Sequence, residues 1–196
     1  SGAGVLMARS VEFGRRYNVP IIVKSTFTNN KGTVVKEKTM EEAIVSGVTH
    51  NDKEVKFTLF GVPDQPGIAG TVFGSLSEIG TNVDMIVQNV SKESITDISF
   101  TAPSEQQKDV EDTLKNISKQ LDAKGYDVDE NIARISIIGA GMKSESGVAS
   151  KMFKTLGDNK INISMISTSP IRVSCVISSN DIEKALNVLH EEFITN

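Results

Sequence analysis

The sequence predicts an α+β protein built from two βαββαβ units, the first inserted into the second. Three observations predict it. A run of strand-period and helix-period segments begins at Glu54 and begins again, in the same order, at Ile132. The two runs share residues at a fixed offset of 80 positions. The second run ends one strand short, while a spare apolar segment stands ahead of the first.

In the first unit, Val55, Phe57 and Leu59 alternate with Lys56 and Thr58, as in a half-buried strand. Pro63-Asp64-Gln65-Pro66-Gly67 breaks that strand. Ile68, Ala69, Val72, Phe73, Leu76 and Ile79 then recur at helical spacing up to Gly80, predicting a helix over about 67–79. Residues 82–89 and 95–101 read as a hairpin joined by Ser91-Lys92-Glu93-Ser94. Ser104 and Gln107 have capping-box spacing, and Val110, Leu114, Ile117 and Leu121 carry a helix to Gly125. Tyr126 to Asp129 returns as a short strand.

The second unit follows the same order: a strand over 132–139, a helix over about 147–157, strands over 161–168 and 171–177, and a last helix with Ile182, Ala185, Leu186 and Leu189. At the offset of 80, Gly67, Ala69, Phe73, Leu76, Asn82, Met85 and Ile86 recur as Gly147, Ala149, Phe153, Leu156, Asn162, Met165 and Ile166, which indicates duplication. This copy has no C-terminal fourth strand, and the apolar segment 43–49 is expected to supply it. The expected units are therefore 51–130, and 41–50 together with 131–196. Ahead of them, residues 4–17 form a loosely amphipathic helix that stops before Pro20, Ile21–Val23 and Thr33–Val35 read as strands, and 36–42 is a charged linker.

Composition narrows the function. The chain has 196 residues, 38% of them hydrophobic, and a formal charge of −4 with Lys and Arg scattered. No basic stripe is present to neutralise phosphates, so no nucleic-acid partner is expected. No apolar run approaches a membrane span, and no membrane partner is expected. The single Cys175 sits in an apolar run, which suits a reducing, cytoplasmic setting and a buried small side chain. His50 and His190 are isolated, so no metal site is expected, and no nucleophile elbow or phosphate loop appears. Gly139-Ala140-Gly141 lacks the third glycine of a dinucleotide fingerprint and reads as a tight turn. No catalytic residue is expected.

The repeated strand-to-helix junctions are the candidate binding sites, because a helix N-terminus presents amide N–H groups and a positive dipole end to a carboxylate. In the first copy the junction is Asp64-Gln65-Pro66-Gly67-Ile68-Ala69. Gly67 permits close approach to the backbone, Ala69 leaves room, and Asp64 can pair with an ammonium. The same residues would serve equally as a turn and a helix cap. Asn82-Val83-Asp84 and Asn162-Ile163-Ser164 hold equivalent positions at the next strand entry, and Asn offers both a donor and an acceptor. Gln88, six residues later on the same predicted strand as Asn82, shares its face and is expected to close the pocket.

Tandem βαββαβ units with a Gly-x-Ala helix start and an Asn-Val or Asn-Ile strand start resemble ACT domains, ferredoxin-like modules that sense ligands in amino-acid metabolism. Val62-Pro63-Asp64-Gln65-Pro66-Gly67, Asn82-Val83-Asp84-Met85, Gln88-Asn89-Val90-Ser91, Thr96-Asp97-Ile98-Ser99-Phe100, Gly139-Ala140-Gly141-Met142 and Ile166-Ser167-Thr168-Ser169 resemble the C-terminal regulatory region of the aspartate kinase family. Residues 1–40, with Arg9-Ser10-Val11-Glu12 and Tyr17-Asn18-Val19-Pro20, resemble the end of that family's α/β kinase domain and a linker. The resemblance implies feedback regulation of aspartate phosphorylation by lysine and/or threonine, a homodimer through ACT sheets, and a kinase domain or catalytic subunit as partner. ATP and Mg would belong to that kinase domain. None is expected in this chain, which lacks the family's Lys-Phe-Gly-Gly motif and is expected to be inactive alone. Carried over by position, the first effector site uses Asp64 to Ala69, Asn82, Val83, Asp84 and Gln88, and the second uses Val148, Ala149, Asn162, Ile163 and Ser169. Pro170 stands where the family often has an acid, and Ser164 where Asp84 stands in the first copy. The first pocket is therefore expected to be the more acidic and the better host for lysine's ammonium. The competing expectation is a constitutive dimerisation module with vestigial pockets.

Overall fold

The computed structural model describes residues 5–36, 44–89, 94–143 and 145–195. The predicted linker beyond Lys36, Ala43 at the start of the predicted spare strand, and the turn residues 91–93 lie outside these.

The first unit runs β4 (Glu54–Pro63), α2 (Ile68–Glu78), β5 (Ile86–Gln88), β6 (Ile95–Pro103), α3 (Gln107–Gln120) and β7 (Gly125–Asp129). Its antiparallel sheet has the order β5-β6-β4-β7. Val55, Phe57 and Leu59 point to one face, as their alternation requires, and pack with Val72 and Leu76 of α2 and Val110 and Leu114 of α3. Phe100 stacks on Phe57 at 5.3 Å between centroids and meets Phe73 edge-on at 5.6 Å.

The second unit comprises β8 (Ile132–Ile138), α4 (Val148–Asp158), β9 (Met165–Ser169), β10 (Arg172–Ser178) and α5 (Ile182–His190), closed by a π-helical turn over Glu191–Thr195. Its fourth strand is β3 (Gly47–Asn51), and the sheet order is β3-β8-β10-β9. β3 thus takes the place beside β8 that β7 holds beside β4, covering an edge that would otherwise expose unpaired N–H and C=O groups. The spare strand pairs where the duplication requires, although it sits slightly later than predicted. Preceding it, α1 (Ala8–Arg16) and the two-stranded sheet of β1 (Ile21–Val23) and β2 (Thr33–Val35) stand apart from both cores.

Two expectations are corrected. The predicted strands over 82–89 and 161–168 shorten to β5 and β9 because the chain, leaving each helix, first climbs from the helix layer to the sheet layer. Val83 and Ile163 turn into the two helix-side cores on the way. Gln88 therefore does not share a strand face with Asn82. The capping box also does not form. Ser104–Gln106 is a 3-10 turn with no side-chain cap, and the Gln107 amide donates to Glu111 (2.9 Å) and Glu130 (2.6 Å).

The duplication extends to backbone conformation. Gly67 and Gly147 precede α2 and α4 with φ of 97° and 96°. Both helices end with the same pair of reversed bonds, Thr81 N–H to Leu76 and Gly80 N–H to Ser77 in one, Ile161 N–H to Leu156 and Lys160 N–H to Gly157 in the other. The left-handed position is glycine in the first copy (φ 73°) and lysine in the second (φ 58°). Lys160→Gly should therefore stabilise the chain by about 0.5–1 kcal/mol, seen as a higher urea midpoint with an unchanged slope.

A third, smaller core joins the units: Met85 and Val87 from the first, Ile132, Met165 and Val176 from the second. Met85 and Met165 are repeat-related, so the two units meet about an approximate two-fold axis, an isologous contact within one chain.

Candidate effector site

The junction before α2 projects from one end of the first sheet. The Asp64 amide donates to the Ser94 carbonyl at 2.8 Å and the Thr71 amide to the Gly67 carbonyl at 3.0 Å. Gln65, Pro66, Gly67 and Ala69 are exposed, and nothing lies within 4 Å of where a Gly67 side chain would project. No side chain caps α2. The helix start thus presents backbone N–H groups to an open space. Gly147 before α4 shares the left-handed backbone and likewise has nothing within 4 Å of where a side chain would project. Ile68 packs partly against its own core, Val148 is buried and Ala149 half-buried, so these three offer mainly backbone to a ligand.

Asn82 and Asp84 lie at the other end of that sheet. The Asp84 amide donates to Thr101 (3.2 Å), whereas Asp64 is held at Ser94. At about 3.3 Å per strand residue, Ser94, just before β6, and Thr101 within it are roughly 23 Å apart. One unit alone therefore does not bring Asp64–Ala69 and Asn82–Asp84 into one pocket. Gln88, paired with Ile98, lies between. In the second unit Asn162 is exposed, and the Ser169 hydroxyl donates to the Arg172 carbonyl (3.4 Å). Pro170 sits in the exposed turn between β9 and β10.

Around Asn82 and Asp84 is a cleft of about 380 Å³, lined also by Lys53, Glu54, Glu105 and Arg134. Glu54 is 6% exposed and Arg134 12%. The Arg134 guanidinium donates to Glu54 through Nη2 (2.7 Å) and Nε (3.2 and 3.3 Å), and Nη2 also reaches Asp84 at 2.8 Å. Arg172 adds a contact to Asp84 at 3.4 Å, and Asn51 donates to Glu54 at 2.7 Å. Asp84 is thus not a free carboxylate awaiting an ammonium. Its charge already faces two guanidiniums from the second unit, which corrects the expectation of an acidic first pocket. Sequence reading missed Glu54, Arg134 and Arg172. The signal was available for the first two, since they stand at the repeat offset with opposite charges, at positions that a two-fold axis brings together.

The second junction is not open in the same way. Gly147 and Val148 border a cleft of about 410 Å³ roofed by Ile44, Val45 and Phe193. Lys151 holds that roof, pairing with Glu192 at 2.7 Å and lying 5.3 Å from the Phe193 ring centre. The Gly139-Ala140-Gly141 turn belongs to the same packing, because side chains at these glycines would collide with the Ile44–Val45 backbone. Burial pushes the Cys175 thiol up to about 12, so it is not a nucleophile at neutral pH. Among the described residues no cluster of His, Cys, Asp or Glu fits a metal ion, and no helix is long and apolar enough to cross a membrane.

Two βαββαβ units whose first helices start at a left-handed, uncapped glycine, joined about an internal two-fold axis, define a tandem ACT-domain protein. ACT domain models match residues 56–122 and 135–193. An aspartate kinase of Pseudomonas fluorescens is 44% identical over 195 residues, covering 98% of this chain and 47% of that protein. The ligand-free regulatory subunit of aspartate kinase from Thermus thermophilus is 35% identical with a TM-score of 0.73, covering 76% of this chain and 99% of that one. The chain belongs to the aspartate kinase family, as its regulatory region with two ACT domains. It spans about half the length of the curated relatives it matches. Aspartokinase III of E. coli, solved in complex with lysine and aspartate, shares the fold at 21% identity, with a TM-score of 0.74 over 97% of this chain and 42% of that one.

Proposed function

We propose that this chain binds end-product amino acids, lysine and/or threonine, and thereby mediates allosteric feedback inhibition of an aspartate kinase, the enzyme that phosphorylates aspartate with ATP and Mg. The observation that carries this reading is the open, left-handed glycine start of α2, a cradle for an amino-acid carboxylate on a regulatory fold. E. coli aspartokinase III, which shares the fold, was solved with lysine bound, in keeping with an amino-acid ligand. Residues 5–36 are read as the end of the kinase domain, and no catalysis is assigned to the chain alone. The cytoplasm is its setting.

Asp64–Ala69 and Asn82–Asp84 occupy opposite ends of one sheet, so a pocket using both is completed only when two ACT units from different copies meet. Edge strands β5 and β9 each pair on one side only and carry the exposed Ile86 (52%) and Ile166 (44%), a surface suited to a homodimer through ACT sheets. An effector held between units favours one arrangement of them. Its differential affinity sets how far the kinase population shifts.

Calorimetry on the chain with millimolar L-lysine or L-threonine, alongside sedimentation, tests this. Saturable heat from at least one of them, with the dimer strengthened, is the expected result. The roofed second junction favours a narrower reading in which that unit is vestigial. A dimer with no heat and no thermal shift from either amino acid would make the whole module constitutive and overturn the sensing role.

A further inference from the structure

Asp84, at the entry to β5, meets two guanidiniums that are not alike. Arg134 is nearly buried and holds Glu54 through both Nε and Nη2 as well as Asp84 at 2.8 Å, so it is committed to joining the units. Arg172, at the start of β10, is one-third exposed and holds Asp84 through a longer contact of 3.4 Å. The lining charges of this cleft are Glu54, Asp84 and Glu105 against Lys53 and Arg134. Arg172 supplies the cation that brings the group to balance.

We propose that Arg172 is a specificity-determining residue whose guanidinium takes, from within the chain, the place that a cationic effector side chain would take at Asp84. This rests on the effector reading above. A lysine ammonium approaching Asp84 competes with Arg172 for the carboxylate, whereas an uncharged side chain such as that of threonine meets no such competition. Arg172 thereby biases the Asn82–Asp84 half-site toward neutral effectors. Removing it leaves one carboxylate in excess, while Arg134 still ties the units together. Since Arg172 lies outside the helix-side cores and its side chain is partly in water, its replacement does not open a cavity.

The test is calorimetry on the full chain and on Arg172→Gln and Arg172→Lys, with L-lysine, L-threonine and L-norleucine, the last matching lysine's length without its charge. Arg172→Gln is expected to tighten lysine about three- to fivefold, the range of a partly exposed ion pair. Threonine and norleucine should move less than about twofold, and Arg172→Lys should resemble the parent. Adding Asp84→Asn should abolish the lysine gain. Lysine binding that is unchanged or weaker in Arg172→Gln, while the parent still binds lysine or threonine, overturns the role of Arg172 and leaves the effector reading standing. Absence of binding by every ligand to every protein overturns both.

Discussion

Replacing Arg134 with methionine is expected to destabilise the chain by about 3–5 kcal/mol, measured by urea unfolding. Glu54 is 6% exposed, and its charge is compensated mainly by the Arg134 guanidinium with one further donor from Asn51. Methionine fills much of the volume but leaves a buried carboxylate without its cation, and the loss of that partner outweighs the loss of packing. Arg134→Lys should fall between, at about 1–2 kcal/mol, because an ammonium keeps the charge but does not hold Glu54 and Asp84 through a fork. The double change Glu54→Gln with Arg134→Met should recover most of the loss, since neither partner is then left charged and alone. Recovery in the double variant separates the ion-pair cause from simple misfolding.

Gly139→Ala is the second large effect. The added methyl would meet the backbone of Ile44 and Val45, with the Ile44 carbonyl carbon and the Val45 Cα both at 2.8 Å. Backbone at that point has little room to give, because the Ser46 amide donates to Ile138 at 2.7 Å and β3 is locked against β8 from Gly47–Ile138 to Asn51–Arg134. A cost of about 2–3 kcal/mol is expected. Hydrogen exchange locates it, with protection lost in β3 and along the β8 edge while β4 and β6 keep theirs. The same substitution at Gly67, where a side chain meets nothing within 4 Å, should cost only the strain of a left-handed φ, about 1 kcal/mol.

Period and repeat made most of the fold legible in the sequence. Val55, Phe57 and Leu59 marked a strand and its buried face, and the offset of 80 showed that the second copy lacked a strand which 43–49 could fill. The strand entries were less legible, because Asn82–Met85 and Asn162–Ser164 look extended by composition yet run between layers, where hydrogen bonding depends on the distance from helix to sheet. The capping box failed for a similar reason, since Gln107 found Glu111 and Glu130, partners that no local window reveals together.

The candidate site was legible in its repeated parts and not in its charges. Gly67 and Gly147 followed from the junction pattern, and the structure adds that both are left-handed. Whether Asp84 was free depended on Arg134 and Arg172, which come from the other unit and reach it only through the internal two-fold axis. Pattern within one copy cannot report a contact between copies.

The most direct test of amino-acid sensing is a crystal structure of the chain grown with saturating L-threonine or L-lysine. Density for the amino acid is expected with its carboxylate at a helix start, Gly67 or Gly147, and its remainder against Asn82–Asp84 or Asn162–Ser164 of another unit. A well-ordered dimer with both junctions empty at saturating ligand, or with ligand bound away from either junction, would contradict sensing at these junctions.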